Sequence, residues 1–377
     1  MESLQLFENK KLDIVTIAGS RPEVIKLSEI VRSFRTDRNF KNNYGHAFLY
    51  TGQHFSENMK DIFFDELDIQ PDFDLRSNTS DISTLTDNVI RFLQATNPAL
   101  VLVYGDTNST LAGALAATRL HCNLVHLEAG LRSFDMNMPE ERNRVQTDTL
   151  SHTLLAPTSL SKTFLSYEPA NNRKEILVTG NPIVDVCRKF AQYNSSLFPI
   201  LEDHHSNSFK EFVLLTLHRK ENVDDPELLL TLFNKLSQIR YRILFPVHPR
   251  TRNNILAYNI KVPDNIIRID PVGYLDFLNL LKRCLIVLTD SGGIQEEAVI
   301  LRKPCITLRG STERWETLLL GVNRLFPLSP NNQSSLDNAI QEMLSVRNNC
   351  NPYGENVTRN TLDAITTVLN NTSLIPN

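Results

Sequence analysis

Short apolar runs recur along the chain, each closing on polar residues, and they constrain the fold more than any other feature. The first set is LDIVTIA from Leu12, HAFLYTG from His46, ALVLVYGD from Ala99, NLVHLEAG from Asn123, HTLLAPT from His152 and EILVTGNP from Glu175. The second is FVLLTLHR from Phe212, YRILFPVHP from Tyr241, NIIRIDP from Asn265, CLIVLTDSGG from Cys284 and PCITLRG from Pro304. Their apolar character is nearly continuous rather than alternating, as in strands covered on both faces of a parallel sheet. Helical patterns lie between them. After Ser20, apolar residues fall at Val24, Leu27, Val31 and Phe34, Ser20 and Glu23 have capping-box spacing, and Pro22 sits in the first turn. Strands alternating with helices predict an α/β fold with two Rossmann-like, doubly wound parallel sheets.

The polar stretch from Val186 to about Lys210, with AQYNSS and EDHHSNS, breaks the pattern and is expected to link two domains. The 377 residues suffice for two cores. The expected division is 1–185 and 186–357, with a closing helical segment in 358–377 packing back on the first domain. Polar residues stand where the apolar runs stop: Gly19-Ser20-Arg21, Gly105-Asp106, Glu128, His218-Arg219 and Asp290-Ser291-Gly292-Gly293. Carboxyl ends of strands form the ligand crevice of open α/β sheets, so a central cleft between the domains is the expected site.

Composition and missing fingerprints narrow the chemistry. A formal net charge of −4 argues against a nucleic-acid or membrane-surface binder. No apolar stretch approaches the roughly 20 residues that span a bilayer. The five scattered cysteines lack metal-ligand spacing and read as reduced thiols of a cytoplasmic protein. There is no G-x-G, no Gly-Lys-Ser/Thr, no H-E-x-x-H, no C-x-x-C pair and no G-x-S-x-G, which weakens NAD enzymes, P-loop NTPases, zinc enzymes and serine hydrolases together. No cofactor and no metal are expected.

The remaining motifs carry acids, bases and an anion site. TDSGGIQEEA, from Thr289, runs from a strand through two glycines into a helix, whose first N–H groups and dipole suit a diphosphate. Glu297 stands a turn further on, placed to accept hydrogen bonds from ribose hydroxyls. A tight turn with a solvated Glu pair is the plain alternative. GSRPEVIKL places Arg21 and Lys26 near a helix N-terminus, where cations oppose the dipole; phosphate contact would supply a reason, and solvated surface charge is the plain alternative. HLEAGLRSFDMNMPEERNR offers Glu128 and Glu140 as carboxylates and Arg144 as a cation, although Pro-Glu-Glu is also an ordinary helix opening. Asp106 adds a third carboxylate, with a second reading as the N-cap of the helix that follows. Neighbouring carboxylates push one another's pKa apart, which suits acid/base work. His218 ends a strand beside Arg219; His248 and Arg250 in PVHPRT are similar and weaker.

Taken together and in order, GSRPEVIKL, TGQH, YGDTNST, HLEAGLRS, MPEERNR, TGNPIVD, LHRKEN, TDSGGIQEEA and TERWE resemble the non-hydrolysing UDP-N-acetylglucosamine 2-epimerases over roughly Leu12 to Leu369. The resemblance implies a GT-B-like fold, a UDP-sugar partner and a homodimer. It carries the family's nucleotide contacts onto Arg21, Phe277, Ser291, Gly292, Gly293, Glu297 and Arg314, and its catalytic positions onto Lys26, Asp106, Glu128, Glu140, Arg144 and His218. It also implies reversible C2 epimerisation of UDP-N-acetylglucosamine by elimination of UDP, through 2-acetamidoglucal, without NAD or metal. Ser20 stands for the family's usual Thr, and Val272 near Phe277 stands where some members have Gln. Gln53 and His54 match part of a region that binds an activating second UDP-sugar in many bacterial members, while the following FSEN departs from it. A GT-B glycosyltransferase using a UDP-sugar, a hydrolysing 2-epimerase and a non-enzymatic UDP-sugar sensor are the rival readings.

Overall fold

A computed structural model of the chain describes residues 12–53, 63–193, 211–329, 332–347 and 350–372. It divides into two compact units, Met1–Val186 with Tyr353–Asn377, and Cys187–Pro352. The second boundary falls five residues before the expected one, because Tyr353 joins the first unit: its carbonyl accepts the Asn181 N–H at 3.0 Å. The helix Val357–Thr372 belongs there too, and Asp185 accepts the Thr358 N–H at 2.7 Å. The polar stretch expected as a linker opens inside a helix, Ile183–Phe190, and its residues 194–210 lie outside the described residues.

Each apolar run forms a strand. In the first unit these are β1 (Ile14–Ala18), β2 (His46–Tyr50), β4 (Leu100–Tyr104), β5 (Asn123–Leu127), β6 (Thr153–Ala156) and β7 (Glu175–Val178), joined by the short β3 (Phe73–Asp74). The second unit has β8 (Phe212–Thr216), β9 (Arg242–Pro246), β10 (Ile266–Ile269), β11 (Ile286–Thr289), β12 (Cys305–Thr307) and the short β13 (Asn323–Leu325). All pairs are parallel, in the orders β3-β2-β1-β4-β5-β6-β7 and β10-β9-β8-β11-β12-β13. The central strands β1, β4, β8 and β11 are buried along their whole length, which accounts for their continuous apolar sequence. The edge strand β7 is exposed at both ends.

Strand order reverses between β1 and β4 in one sheet and between β8 and β11 in the other. At such a switch point the two following connections leave toward opposite faces, opening a crevice at the strand ends. Val15, Ile17, Val101 and Val103 pack one face of the first sheet, and Val213, Leu215, Ile286 and Leu288 one face of the second. These cores fix the strand ends from which the polar loops depart. Among the described residues no helix is long and apolar enough to cross a membrane.

Candidate active site

In the first unit the β1 exit, Gly19-Ser20, feeds the helix Arg21–Thr36. Glu23 closes this turn from within: one oxygen accepts the Gly19 and Ser20 N–H groups at 2.8 and 2.7 Å, and the other accepts the Thr107 and Thr110 hydroxyls at 2.7 Å each. Burial pushes its carboxyl above the usual range, against these hydrogen bonds. One carboxylate thus ties the β1 loop to the β4 loop. Gly19 has no room for a side chain, since an added Cβ would lie 1.9 Å from the Ser109 Oγ.

Lys26 points from the same helix onto Glu128, with Nζ 2.7 Å from Oε1 and both side chains buried. This pairing, rather than the helix dipole, accounts for a cation in that helix. Glu128 holds a left-handed backbone, φ +74°, just beyond β5. For a residue with a Cβ that costs on the order of 1–3 kcal/mol, strain characteristic of functional positions. Gly105, φ +74° as well, faces it closely: a Cβ there would meet Glu128 Oε2 at 3.3 Å.

Asp106 does not cap the next helix. Thr107 does, accepting the Thr110 N–H, so the Asp106 carboxylate is left for Arg144, which donates to it. The other arm of Arg144 donates to Glu141. Glu141 in turn accepts the N–H groups of Ser133 and Phe134, each at 2.9 Å. Arg144, Glu141 and Glu140 all lie on the helix Pro139–Leu150; Glu140 is half-buried in its first turn. Sequence offered Glu140 as a carboxylate of the site; beside it, Glu141 meets Arg144. Arg21 is half-buried at the start of its helix. Gln53 accepts from the N–H and hydroxyl of Ser109 at 2.9 and 2.8 Å, whereas His54 and the FSEN segment lie outside the described residues.

The second unit repeats the plan with different chemistry. Asp290, fully buried after β11, accepts the His218 and Arg219 N–H groups at 3.0 and 2.9 Å. His218 Nδ1 lies 3.1 Å from its other oxygen, leaving Nε2 on a side chain that is 40% exposed. Burial alone would raise Asp290; the hydrogen bond and charge of His218, with the two N–H groups, outweigh it and hold the carboxyl below its usual range. The His248 ring lies 5.8 Å from that of His218, and its nitrogen caps the following helix by accepting the Arg250 N–H.

Ser291 precedes the helix Gly292–Ile300. The reason for glycine at 292 is a close neighbour, since a Cβ would stand 2.5 Å from Glu313 Oε1; at Gly293 nothing lies within 4 Å. Arg314 is clamped by Glu296 at 2.7 Å and Glu313 at 3.0 Å. Glu297 is buried and hydrogen-bonded to Tyr274, whose phenol is pushed well up by burial and by the Glu297 charge. Phe277, on the same helix as Tyr274, is half-buried against the apolar cluster of Leu280, Leu281 and Ala298. Tyr274, Glu296 and Glu313 escaped sequence reasoning, as each reads as an ordinary helix or loop residue.

Two doubly wound parallel sheets, each with its polar groups at the switch point, define an enzyme of the GT-B-like, Rossmann-type class. Comparison with known proteins narrows this. Residues 38–367 match the family described as UDP-N-acetylglucosamine 2-epimerase. The UDP-N-acetylglucosamine 2-epimerase of Methanocaldococcus jannaschii is 42% identical over 90% of this chain and 94% of its own. The UDP-2,3-diacetamido-2,3-dideoxy-D-glucuronate 2-epimerase of Pseudomonas aeruginosa is 40% identical over 83% and 88%. The crystal structure of the Methanocaldococcus jannaschii enzyme in complex with UDP-GlcNAc and UDP superposes with a TM-score of 0.83, at 40% identity, covering 95% of this chain and 100% of that one. The chain belongs to the UDP-N-acetylglucosamine 2-epimerase family.

Proposed function

We propose that the protein interconverts UDP-N-acetylglucosamine and UDP-N-acetylmannosamine by eliminating UDP and adding it back. The C2 proton of the sugar has no adjacent carbonyl and is a poor acid. Elimination avoids a free carbanion: a base takes the C2 proton, those electrons form the C1–C2 double bond, and the C1–O bond breaks with the pair leaving on UDP. In the return step a UDP oxygen attacks C1 while an acid delivers a proton to the other face of C2. The 2-acetamidoglucal between them carries no redox change, so electrons balance without an oxidant.

The observation that carries this reading is the charge arrangement at the β1, β4 and β5 ends, where Lys26 meets Glu128 and Arg144 meets Asp106. Asp106, Glu128 and Glu140 serve the two proton transfers. Lys26 and Arg144 hold Glu128 and Asp106 in orientation through these ion pairs. Ser291, Gly292 and Gly293 present a helix start to the diphosphate, with His218, Arg21 and Arg314 adding positive charge or donors to the departing UDP. Glu297, oriented by Tyr274, takes the ribose, and Phe277 faces the base. A cytoplasmic homodimer completes the proposal, its assembly read by light scattering.

The test is incubation with UDP-N-acetylglucosamine alone in deuterated water, followed by NMR. The proposal requires UDP-N-acetylmannosamine bearing deuterium at C2. Free N-acetylmannosamine with UDP would indicate the hydrolysing reaction, and an unchanged substrate a transferase or sensor. Offering the diacetamido-glucuronate nucleotide in parallel tests the sugar substituents.

A further inference from the structure

His126 stands next to last in the strand NLVHL, among Leu124, Val125 and Leu127, and is completely buried between β4 and β6. A buried imidazole needs partners for both nitrogens. It has them: Nδ1 lies 2.7 Å from Asp148 Oδ1 and Nε2 lies 2.8 Å from the Gly105 carbonyl oxygen. The second contact answers a problem set by the site itself. The Gly105 N–H continues the ladder to Leu127 O, but beyond it the strands part. The left-handed turn at Glu128 sends the next two N–H groups, of Glu128 and Ala129, to Leu155 O on β6. The buried Gly105 carbonyl, one residue before Asp106, is thus left without a backbone donor from β5, and His126 supplies one from its side chain.

Asp148 completes the link. Its second oxygen accepts from Arg132 at 2.6 Å and from the Gly130 N–H at 3.2 Å. Burial alone would raise its carboxyl; His126 and Arg132 outweigh it and hold it below the usual range. The Gly105 carbonyl can only accept, so Nε2 carries the proton in that contact, and the short Nδ1–Asp148 contact holds a further proton between ring and carboxylate. Asp148 sits one turn beyond Arg144 on the Pro139–Leu150 helix. That helix therefore grips the β4 exit at consecutive points: Asn143 at the Asp106 carbonyl (3.0 Å), Arg144 at its carboxylate, and Asp148 through His126 at the Gly105 carbonyl.

We propose that His126 is a positioning residue that holds the Gly105-Asp106 carbonyl turn in register with Glu128, so that the two carboxylates address the sugar in fixed geometry. This rests on the proton-transfer roles proposed above for Asp106 and Glu128.

Two amide substitutions separate positioning from bulk stability. His126→Gln places its amide near the Nε2 position and can still donate to Gly105 O while giving up Asp148. His126→Asn reaches only the Nδ1 position, satisfying Asp148 and leaving Gly105 O bare. The expected result is crossed: the Asn variant melts at the higher temperature, yet its kcat falls on the order of 100-fold at little change in KM, and the Gln variant stays about tenfold above it. If kcat instead follows melting temperature, or both variants match wild type, the proposal is overturned. A reading independent of turnover is the long-range proton–nitrogen NMR correlation of His126. It should show Nε2 protonated and slow to exchange, and a ring whose Nε2 is bare contradicts the proposal even if the protein proves not to be an epimerase.

Discussion

The two switch points share a strand order and differ in how they use charge. At the first, carboxylates are tied to cations inside the unit, Glu128 to Lys26 and Asp106 with Glu141 to Arg144, and the loops are stitched together by Glu23. At the second, the buried carboxylates serve mainly to shape donors: Asp290 orients His218, and Glu296 and Glu313 hold Arg314. The proposed function assigns proton transfer to the first edge and anion binding to the second. Similar sheets acquire different sites because the few side chains after each strand differ.

The sharpest break of this contrast is at the first edge. Glu128→Gln or Asp106→Asn should cut turnover by roughly 10²–10⁴-fold, as for loss of a general acid or base, with UDP binding retained. Progress curves on each variant, beside a UDP titration, check this; unchanged turnover in Glu128→Gln, Asp106→Asn and Glu140→Gln together would remove the carboxylates from the chemistry. The second edge breaks at Gly292. Gly292→Ala drives a Cβ into Glu313 and should destabilise the fold by about 1–3 kcal/mol. Gly293→Ala meets no protein atom and should be neutral or stabilising by up to about 1 kcal/mol, since alanine is the better helix residue. Denaturant unfolding of the two variants reads the difference.

Glu23 sharpens the comparison by a smaller amount. Glu23→Ala strands the Gly19 and Ser20 N–H groups and should cost about 1–3 kcal/mol, while Glu23→Gln, which keeps an acceptor, should cost less. Chemical unfolding of both gives the order. The smallest effect is on pH dependence. Asp290 has a carboxyl depressed in the folded state, so its contribution to stability is present above the unfolded pKa and fades as pH falls through the lower folded one. Asp290→Asn should therefore flatten the acid limb of melting temperature against pH; an unchanged limb would deny that linkage. Glu23, whose carboxyl is raised, has the opposite sign, favouring the fold at low pH and losing that contribution as pH rises.

Much of this was legible in the chain because buried parallel strands write themselves as unbroken apolar runs, and loops that bind begin where such runs stop. The short strands β3 and β13 were not, since two or three residues carry no periodicity. Nor was the Glu141–Arg144 pair: Glu140 and Glu141 stand four and three residues before Arg144, and on a helix both spacings share a face. Asp106 and Thr107 compete equally for the cap by residue type, and only the fold shows that Arg144 claims the first. His126 looks like a core residue in NLVHL, because the strand break that leaves Gly105 O in need of a donor is a matter of backbone path.

The central claim is the division of labour between the two edges, and calorimetric titration of UDP into Glu128→Gln and Gly292→Ala tests it most directly. The account predicts a Kd close to wild type for Glu128→Gln and a clearly weakened one for Gly292→Ala. Weakened binding in Glu128→Gln with intact binding in Gly292→Ala would contradict it.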